Sequence, residues 1–145
     1  MSIVREILAK KGSQVLSIGR RATVLDAALL MNEHKIGALV VIDDGRVAGM
    51  FTERDVLRRV VGERRDPATT IVDDVMTAEV VCCTLETPID EARSAMMNRR
   101  IRHLPVVDGD RRLHGMISIG DLNAWHLNTQ EQTIHLLNEY LYGRV

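Results

Sequence analysis

The chain has 145 residues and a mass of 16.3 kDa, which suits one compact domain or two small repeats and excludes a large multidomain enzyme. Hydrophobic residues make up 46% and charged residues 27%, and no apolar run approaches the ~20 residues that cross a bilayer, so we expect neither disorder nor a membrane span. Nineteen basic and twenty acidic residues give a net charge of −1, which argues against nucleic-acid binding through a basic surface. The first residues lack the basic head and long apolar stretch of a secretion signal, so we expect a cytoplasmic protein.

The first half of the chain predicts a strand, a helix, a hairpin and a second helix, in that order. Residues 15–18 are a short apolar run typical of a strand. A helix follows, because apolar residues recur at i, i+3, i+4 and i+7 spacing: Val24, Ala27, Ala28 and Met31. The apolar runs 38–42 and 47–52 flank the turn sequence Asp-Asp-Gly and predict a β-hairpin. A second helix is expected over residues 53–61.

The second half repeats this order after a polar connection. Residues 62–70 contain a glycine, a proline and several charges, which is typical of a linker. A strand is then predicted over residues 80–84, followed by a helix whose apolar face carries Ile89, Ala92 and Met96. The runs 104–107 and 113–118 predict a second hairpin, and a helix is expected over residues 119–127.

The two halves are copies of one unit. Val15 and Val80 lie 65 residues apart, and the offset becomes 66 residues at Asp55 and Asp121, because the second hairpin turn is one residue longer. Identical residues recur at these offsets across the whole unit: Ala27 and Ala92, Met31 and Met96, Ile36 and Ile101, Leu39 and Leu104, Val41 and Val106, Gly49 and Gly115, Met50 and Met116. Matches spread this widely indicate an internal repeat.

The repeat divides the chain into two similar units and an extension. One unit spans residues 3–61 and the other residues 71–127, and their leading segments, 3–8 and 71–76, also resemble each other. Each unit has the order strand, helix, strand, strand, helix, which predicts a mixed α/β fold. The extension is residues 128–145, where one apolar stripe indicates either a helix packed on the body or a dimer contact: Ile134, Leu137 and Leu141.

The cysteines and histidines do not form a metal-site pattern. Cys82 and Cys83 are adjacent in a predicted strand, so their side chains point to opposite faces. Neither a disulfide framework nor a zinc site is therefore expected. The histidines are scattered, without i, i+4 pairing or a nearby cysteine. We expect no bound metal.

The same short motif ends each hairpin. Residues 49–55 and 115–121 both read Gly-x-x-(Thr/Ser)-x-x-Asp. A hydroxyl residue with an acidic residue three places later is also a helix capping box. The strand glycine, which often marks close approach of another backbone or a ligand, recurs with it and supports a binding role. A hydroxyl and a carboxylate at a helix start also suit a vicinal diol such as ribose. The motif is therefore compatible with both interpretations, a helix cap and a ribose-binding site.

On these residues the repeated unit resembles a tandem cystathionine β-synthase (CBS) domain pair, also called a Bateman module, over about residues 3–127. The resemblance implies two repeats packed sheet to sheet around a pseudo-twofold axis, with two clefts between them. Such clefts commonly hold adenosine compounds: AMP, ADP, ATP, S-adenosylmethionine or NAD. The resemblance assigns ribose hydroxyls to Thr52 and Asp55 in one cleft and to Ser118 and Asp121 in the other. Both clefts are thus expected to be intact.

The resemblance also implies that the segment entering the second strand of each repeat lines a cleft. It places adenine against residues of these two segments: Ile36, Gly37, Ala38, Ile101, Leu104 and Pro105. It places phosphate against Arg102, His103 and Arg54, with most basic groups coming from the second repeat. The alternatives are solvated surface arginines and a half-buried strand histidine.

The expected function is that of a regulatory adenine-nucleotide sensor that acts on an unknown effector protein. The resemblance also implies a homodimer. A structural protein-interaction module with empty clefts and a small nucleotide-processing enzyme are the two alternatives. Glu53 and Asp55 are candidate catalytic carboxylates, but no nucleophile or acid–base partner accompanies them, so we expect no enzyme. Copurification of a nucleotide separates the sensor from the interaction module.

Overall fold

The computed structural model describes residues 2–127, and the predicted stripe at Ile134, Leu137 and Leu141 lies outside them. The first half contains α1 (Val4–Lys11), β1 (Ser17–Gly19), α2 (Val24–His34), β2 (Ala38–Asp43), β3 (Arg46–Thr52) and α3 (Glu53–Asp55), which continues as a π-helix over Val56–Val61. The second half contains α4 (Val72–Val75), α5 (Ile89–Arg99), β4 (His103–Val107), β5 (Leu113–Ser118) and α6 (residues 119–127). Within residues 2–127, every helix is too short or too polar to cross a bilayer.

The first half builds a three-stranded sheet in the order β1-β2-β3. β1 runs parallel to β2, and β2 and β3 form the predicted antiparallel hairpin. Asp44 and Gly45 in its turn have φ values of 52° and 76°, the left-handed conformation that tight hairpin turns require. Helix α2 begins where the Thr23 hydroxyl accepts a hydrogen bond from the backbone N–H of Asp26 at 3.1 Å.

The second half builds a smaller sheet than predicted. β4 and β5 pair antiparallel, but the predicted strand over 80–84 is reduced to one parallel bridge at Cys83. In the first half, the backbone N–H of Val40 donates to the carbonyl of Leu16 at 3.4 Å. Pro105 occupies the position equivalent to Val40 and has no N–H, so the corresponding hydrogen bond cannot form and the ladder stops.

The leading helices are exchanged between the two halves. α1 is buried in the second-half core, which consists of Val4, Ile7, Leu8, Cys83, Ile89, Ala92, Met96, Leu104, Val106, Ile117 and Leu122. α4 is buried in the first-half core, which consists of Val24, Ala27, Met31, Leu39, Val41, Phe51, Val60, Val72, Val75 and Met76. Backbone hydrogen bonds fix both exchanges, from Val4 to Thr87 at 2.9 Å and from Val72 to Ala22 at 2.8 Å. Each half therefore completes its core with the other half's leading helix.

A third apolar cluster lies between the two sheets. Side chains of β2 alternate, so that Leu39 and Val41 face the first-half core while Ala38 and Val40 face the other sheet. The cluster consists of Ala38, Val40, Val47, Met50 and Val107. At the hairpin tips, the backbone N–H of Val47 donates to the carbonyl of Arg111 at 3.0 Å. The sheets thus pack face to face, as the resemblance implies.

Candidate ligand-binding clefts

A cavity of about 430 Å³ lies between the two halves, where β3 passes into α3. Its first-half wall is formed by Gly37, the end of β3 and α3. Its second-half wall comes from the chain around residues 77–81 and 100–103. Small-molecule sites commonly have volumes of about 300–1,000 Å³. The cavity is therefore the candidate for the cleft that contains the first motif, and we call it the first cleft.

The first cleft brings together many of the predicted site residues: Gly37, Thr52, Arg54, Asp55, Ile101, Arg102 and His103. The other adenine-pocket candidates lie elsewhere. Ile36 packs against the first-half core, Ala38 lies between the sheets, Leu104 belongs to the second-half core and Pro105 is buried in β4. Neighbouring strand residues point to opposite faces, so one segment supplies only some of its side chains to a cleft.

The remaining wall of the first cleft was missed by the sequence analysis as a binding surface: Met50, Glu53, Thr77, Glu79, Val80, Val81 and Arg100. Met50 stands within the motif, and Val80 and Val81 lie in an apolar run, so a local signal existed for these three. Thr77 and Glu79 carry no such signal. They reach the cleft because α4 packs against the first half.

Asp55 and Thr52 form the capping box that the motif allows. The backbone N–H of Thr52 donates to Asp55 Oδ2 at 3.0 Å, and the backbone N–H of Asp55 donates to Thr52 Oγ1 at 3.3 Å. Asp55 Oδ1 accepts a hydrogen bond from Thr77 Oγ1 at 3.2 Å and lies 3.8 Å from Arg59 Nε. The Asp55 side chain is 7% exposed. The carboxylate is thus buried, oriented and placed against the cavity.

The basic groups of the first cleft lie at its exposed edge. Arg54, Arg100 and Arg102 are exposed, and within residues 2–127 none of their side chains makes a hydrogen bond or an ion pair. His103 is half-buried beside them. Burial lowers the pKa of His103, and the positive charges of Lys11 and Arg102 lower it further. The first cleft therefore combines three available cations with an imidazole that favours its neutral form.

The second motif has the same cap but engages a lysine. The backbone N–H of Ser118 donates to Asp121 Oδ2 at 2.8 Å, and that of Asp121 donates to Ser118 Oγ at 3.1 Å. Lys11 Nζ donates to Asp121 Oδ2 at 2.5 Å and to the Met116 carbonyl at 2.8 Å. Burial raises the pKa of Asp121, but hydrogen bonds from Lys11 and Ser118 outweigh it and hold that pKa below its usual value. The carboxylates of the two motifs, Asp55 and Asp121, therefore have different partners in the structure.

Cys82 and Cys83 face different clusters, as their adjacent strand positions predict. Cys83 is buried in the second-half core and Cys82 packs against the cluster between the sheets. Burial raises the pKa of the Cys83 thiol to about 12, which leaves it a poor nucleophile at neutral pH. In the described part of the chain, no three His, Cys, Asp or Glu side chains group together in a way that could hold a metal ion.

Comparison with known proteins identifies the repeated unit. The family model described as CBS domain matches residues 4–62 and 72–127. The CBS domain-containing protein CBSX3, mitochondrial, of Arabidopsis thaliana is 39% identical over 126 residues. That match covers 83% of this chain and 61% of the relative, so the chain spans less than two thirds of the relative's length.

Solved structures share the fold. The CBS-domain containing protein ATU1752 from Agrobacterium tumefaciens is 39% identical, with a TM-score of 0.78 over 86% of this chain and 98% of that one. The CBS domain pair of protein MJ0100, in complex with 5′-methylthioadenosine and S-adenosyl-L-methionine, is 22% identical, with a TM-score of 0.76 over 89% of this chain and 98% of that one. Since two matched CBS domains account for most of its length, the chain belongs to the CBS-domain family.

Proposed function

We propose that the first cleft binds an adenine nucleotide (AMP, ADP or ATP) or NAD, and that the protein is a regulatory sensor of that ligand. One observation carries the proposal. A single cavity combines a buried carboxylate, an apolar wall and three arginines that have no partner within residues 2–127. These features are complementary to ribose hydroxyls, an adenine ring and phosphate, respectively.

The carboxylate of Asp55 has room for a ribose hydroxyl. Each carboxylate oxygen can accept about two hydrogen bonds. Asp55 Oδ2 accepts from the backbone N–H and the hydroxyl of Thr52, whereas Oδ1 accepts, among residues 2–127, only from Thr77 Oγ1, at 3.2 Å. Arg59 Nε lies 3.8 Å from the same oxygen, beyond hydrogen-bond distance. A ribose hydroxyl would therefore donate to Oδ1.

The other walls suit the base and the phosphate. Four apolar side chains offer a surface on which adenine can pack: Met50, Val80, Val81 and Ile101. Arginine binds phosphate through paired N–H donors, so Arg54, Arg100 and Arg102 favour a phosphorylated ligand over adenosine alone. Glu53 and Glu79 line the same cavity, which limits its positive charge. We infer that the cleft holds a short phosphate chain.

Regulation follows from the position of the cleft between the halves. A ligand that contacts both walls favours the arrangement in which those walls fit it best. Occupancy would therefore change the relative placement of the two halves, and an effector protein would respond to that change. We propose the cytoplasm as the compartment, and neither catalysis nor a metal is part of the proposal.

We also propose a homodimer formed through the helices. Large apolar side chains are exposed on α2 and on the π-helix after α3: Leu25 at 41%, Leu29 at 58%, Leu57 at 64% and Val61 at 63%. Exposed apolar side chains that cluster on helices are typical of protein–protein contacts. This surface also fits the alternative function, an interaction module with an empty cleft.

Calorimetric titration with AMP, ADP, ATP, NAD and S-adenosylmethionine tests the sensor, with GMP and GTP as controls. We expect at least one adenine compound to bind. Asp55→Asn keeps the side-chain volume and a capping oxygen but removes the charge, so affinity should fall by roughly ten- to a hundredfold. Asp90→Asn removes an equally charged, exposed residue on α5 and should leave affinity unchanged.

Two results would contradict the proposal. If no adenine compound binds and none copurifies with the protein, the interaction module is the better description. If a nucleotide binds equally well to the wild type and to Asp55→Asn, it binds elsewhere. The ligand-free melting curve of each variant separates a loss of affinity from a loss of folding.

A further inference from the structure

The carboxylate of Glu53 lies against Gly37 on the first-half wall of the first cleft. A Cβ at Gly37 would lie 2.8 Å from Glu53 Oε1, so the carboxylate occupies space that a side chain at this position would take. The backbone N–H of Glu53 donates to the Gly37 carbonyl at 3.0 Å, which holds the start of α3 beside the chain that enters β2. Glu53 is exposed, and within residues 2–127 its side chain makes neither a hydrogen bond nor an ion pair. Its negative charge therefore lines the cavity without a neutralising partner among these residues.

The second repeat has a cation at the equivalent place. The repeat offsets align Gly37 with Arg102 and Glu53 with Ile119. Backbone hydrogen bonds support this equivalence, because the N–H of Ile119 donates to the Arg102 carbonyl at 2.9 Å, as that of Glu53 does to Gly37. The chain that enters β4 therefore carries a guanidinium, whereas the chain that enters β2 carries a glycine covered by a carboxylate.

Glu53 lies close enough to the basic wall of the first cleft to act on it electrostatically. His103 belongs to that wall. Burial lowers the pKa of His103, and Lys11 and Arg102 lower it further. The negative charges of Asp121 and Glu53 oppose that shift. A phosphate bound at this wall would therefore lie within the field of the Glu53 carboxylate.

The formal charges around the first cleft cancel. Among the described residues, its wall carries three arginines and three carboxylates: Arg54, Arg100, Arg102, Glu53, Asp55 and Glu79. One phosphate can pair with the arginines, which bind such groups through paired N–H donors. Each further phosphate adds about one negative charge, which the Glu53 carboxylate repels. The penalty therefore grows with the length of the phosphate chain.

We propose that Glu53 is a specificity-determining residue of the first cleft, which makes the cleft prefer an adenosine compound with one phosphate over one with three. The proposal rests on the function proposed above for that cleft and assigns the choice of ligand to one side chain. Because Glu53 is exposed, dissolved salt screens its charge, so its effect on the preference should weaken as the ionic strength rises.

Calorimetric titration with adenosine, AMP, ADP and ATP measures the preference, at pH 8 and in EDTA so that no metal ion alters the ligand charge. We expect the wild type to bind AMP more tightly than ATP. Glu53→Gln keeps the size of the side chain and removes its charge, so affinity should rise roughly tenfold for ATP, roughly threefold for AMP and not at all for adenosine. Glu53→Lys reverses the charge and should raise the affinity for ATP further. Glu33→Gln, an exposed position on α2 outside the cavity, is the matched control and should change none of these affinities.

A second series at about 0.5 M salt separates an electrostatic role from a structural one. The difference between the wild type and Glu53→Gln should shrink there, because the Debye length falls to a few ångströms. A wild type that binds ATP more tightly than AMP overturns the proposal. So does a folded Glu53→Gln variant that leaves the ratio of AMP to ATP affinity unchanged, or whose effect is the same at both salt concentrations. If none of the four compounds binds to the wild type or to either Glu53 variant, the function proposed for the first cleft is wrong, and this inference fails with it.

Discussion

The carboxylate of Asp55 is held in position before any ligand binds. The backbone of Thr52 fixes one oxygen and the hydroxyl of Thr77 fixes the other. The conformational entropy of this side chain is already lost in the free protein, so binding need not supply it. Capping and ligand binding are compatible roles, because the cap uses mainly Oδ2 and leaves an acceptor position on Oδ1.

His103 should make stability depend on pH. Its pKa is lowered in the folded protein, by burial first and by Lys11 and Arg102 next, whereas the unfolded chain titrates near its ordinary value of 6.5. As the pH falls below that value, the unfolded chain binds a proton that the folded imidazole resists, so the free energy of unfolding decreases. Urea denaturation between pH 8 and pH 5 measures this slope.

The matched variant for that measurement is His103→Asn, which keeps a polar side chain without the titration. Its stability should change less between pH 7 and pH 5 than that of the wild type. A wild type and a variant with parallel pH profiles would show that the imidazole titrates alike in both states. If the stability of the variant fell more steeply with decreasing pH than that of the wild type, the pKa of His103 would be raised by folding, contrary to our expectation.

The motif residues could be predicted at this scale, but the cleft wall could be predicted only in part. Thr52, Asp55, Ser118 and Asp121 are recognisable because a cap is a local pattern and it occurs twice. The contact between Lys11 and Asp121 joins residues far apart in the chain, and no local pattern indicates it. The distribution of side chains between cleft and core likewise depends on which face each strand buries.

Among the elements, the contact between each β-hairpin and the opposite leading helix explains the motif glycines. A Cβ at Gly49 would lie 2.7 Å from Met76 Sδ and 2.8 Å from the Thr77 carbonyl oxygen. A Cβ at Gly115 would lie 2.8 Å from Leu8 Cδ1. The close approach that the strand glycines predict is therefore made by α1 and by the two residues that follow α4.

Alanine at these two glycines should have unequal effects. Gly49→Ala meets a backbone oxygen, which cannot move away, and should lower the free energy of unfolding by about 1–3 kcal/mol. Gly115→Ala meets the end of a flexible leucine, so its loss should be smaller. Leu8→Ala should partly relieve Gly115→Ala, whereas Met76→Ala should relieve Gly49→Ala less. Chemical denaturation of the single and double variants checks this order, and equal losses at both glycines would contradict it.

The order of the elements could be predicted from local periodicity, but their pairing could not. Apolar spacing indicates α2, α5 and both hairpins wherever they occur in a fold. The strand expected over 80–84 is prevented by Pro105, which belongs to the neighbouring strand. The exchange of α1 and α4 depends on contacts between distant segments, and local sequence patterns do not predict such contacts.

For the molecule as a whole, the exchange means that the sequence repeat and the folded half are different pieces of chain. A fragment of residues 13–76 contains every member of the first-half core, whereas a fragment of residues 1–62 lacks Val72, Val75 and Met76. We expect the first fragment to unfold cooperatively in urea and the second to show no transition. Circular dichroism of the two fragments at increasing urea concentration, with the full chain as reference, measures whether each one shows a cooperative transition. A cooperative transition in residues 1–62 alone would contradict the exchange.

The proposed homodimer makes its own prediction. Light scattering of the wild type at micromolar concentration should give about twice the chain mass of 16.3 kDa. Leu29→Glu and Leu57→Glu place charges on the exposed apolar surface and should shift the mass toward that of one chain. Ser17→Glu, at an exposed position of β1, is the control. A wild type of 16.3 kDa would exclude the dimer.

The exchanged helices also suggest how the two clefts came to differ. Two separate copies of one repeat, each lending its leading helix to the other, would form a symmetric dimer by the same contacts. Symmetry would force its two clefts to be identical, since any substitution appears in both. Residues 62–70 join the copies into one chain and remove that constraint. One carboxylate can then face a threonine and the other a lysine, so a single gene can encode two clefts whose carboxylates have different partners.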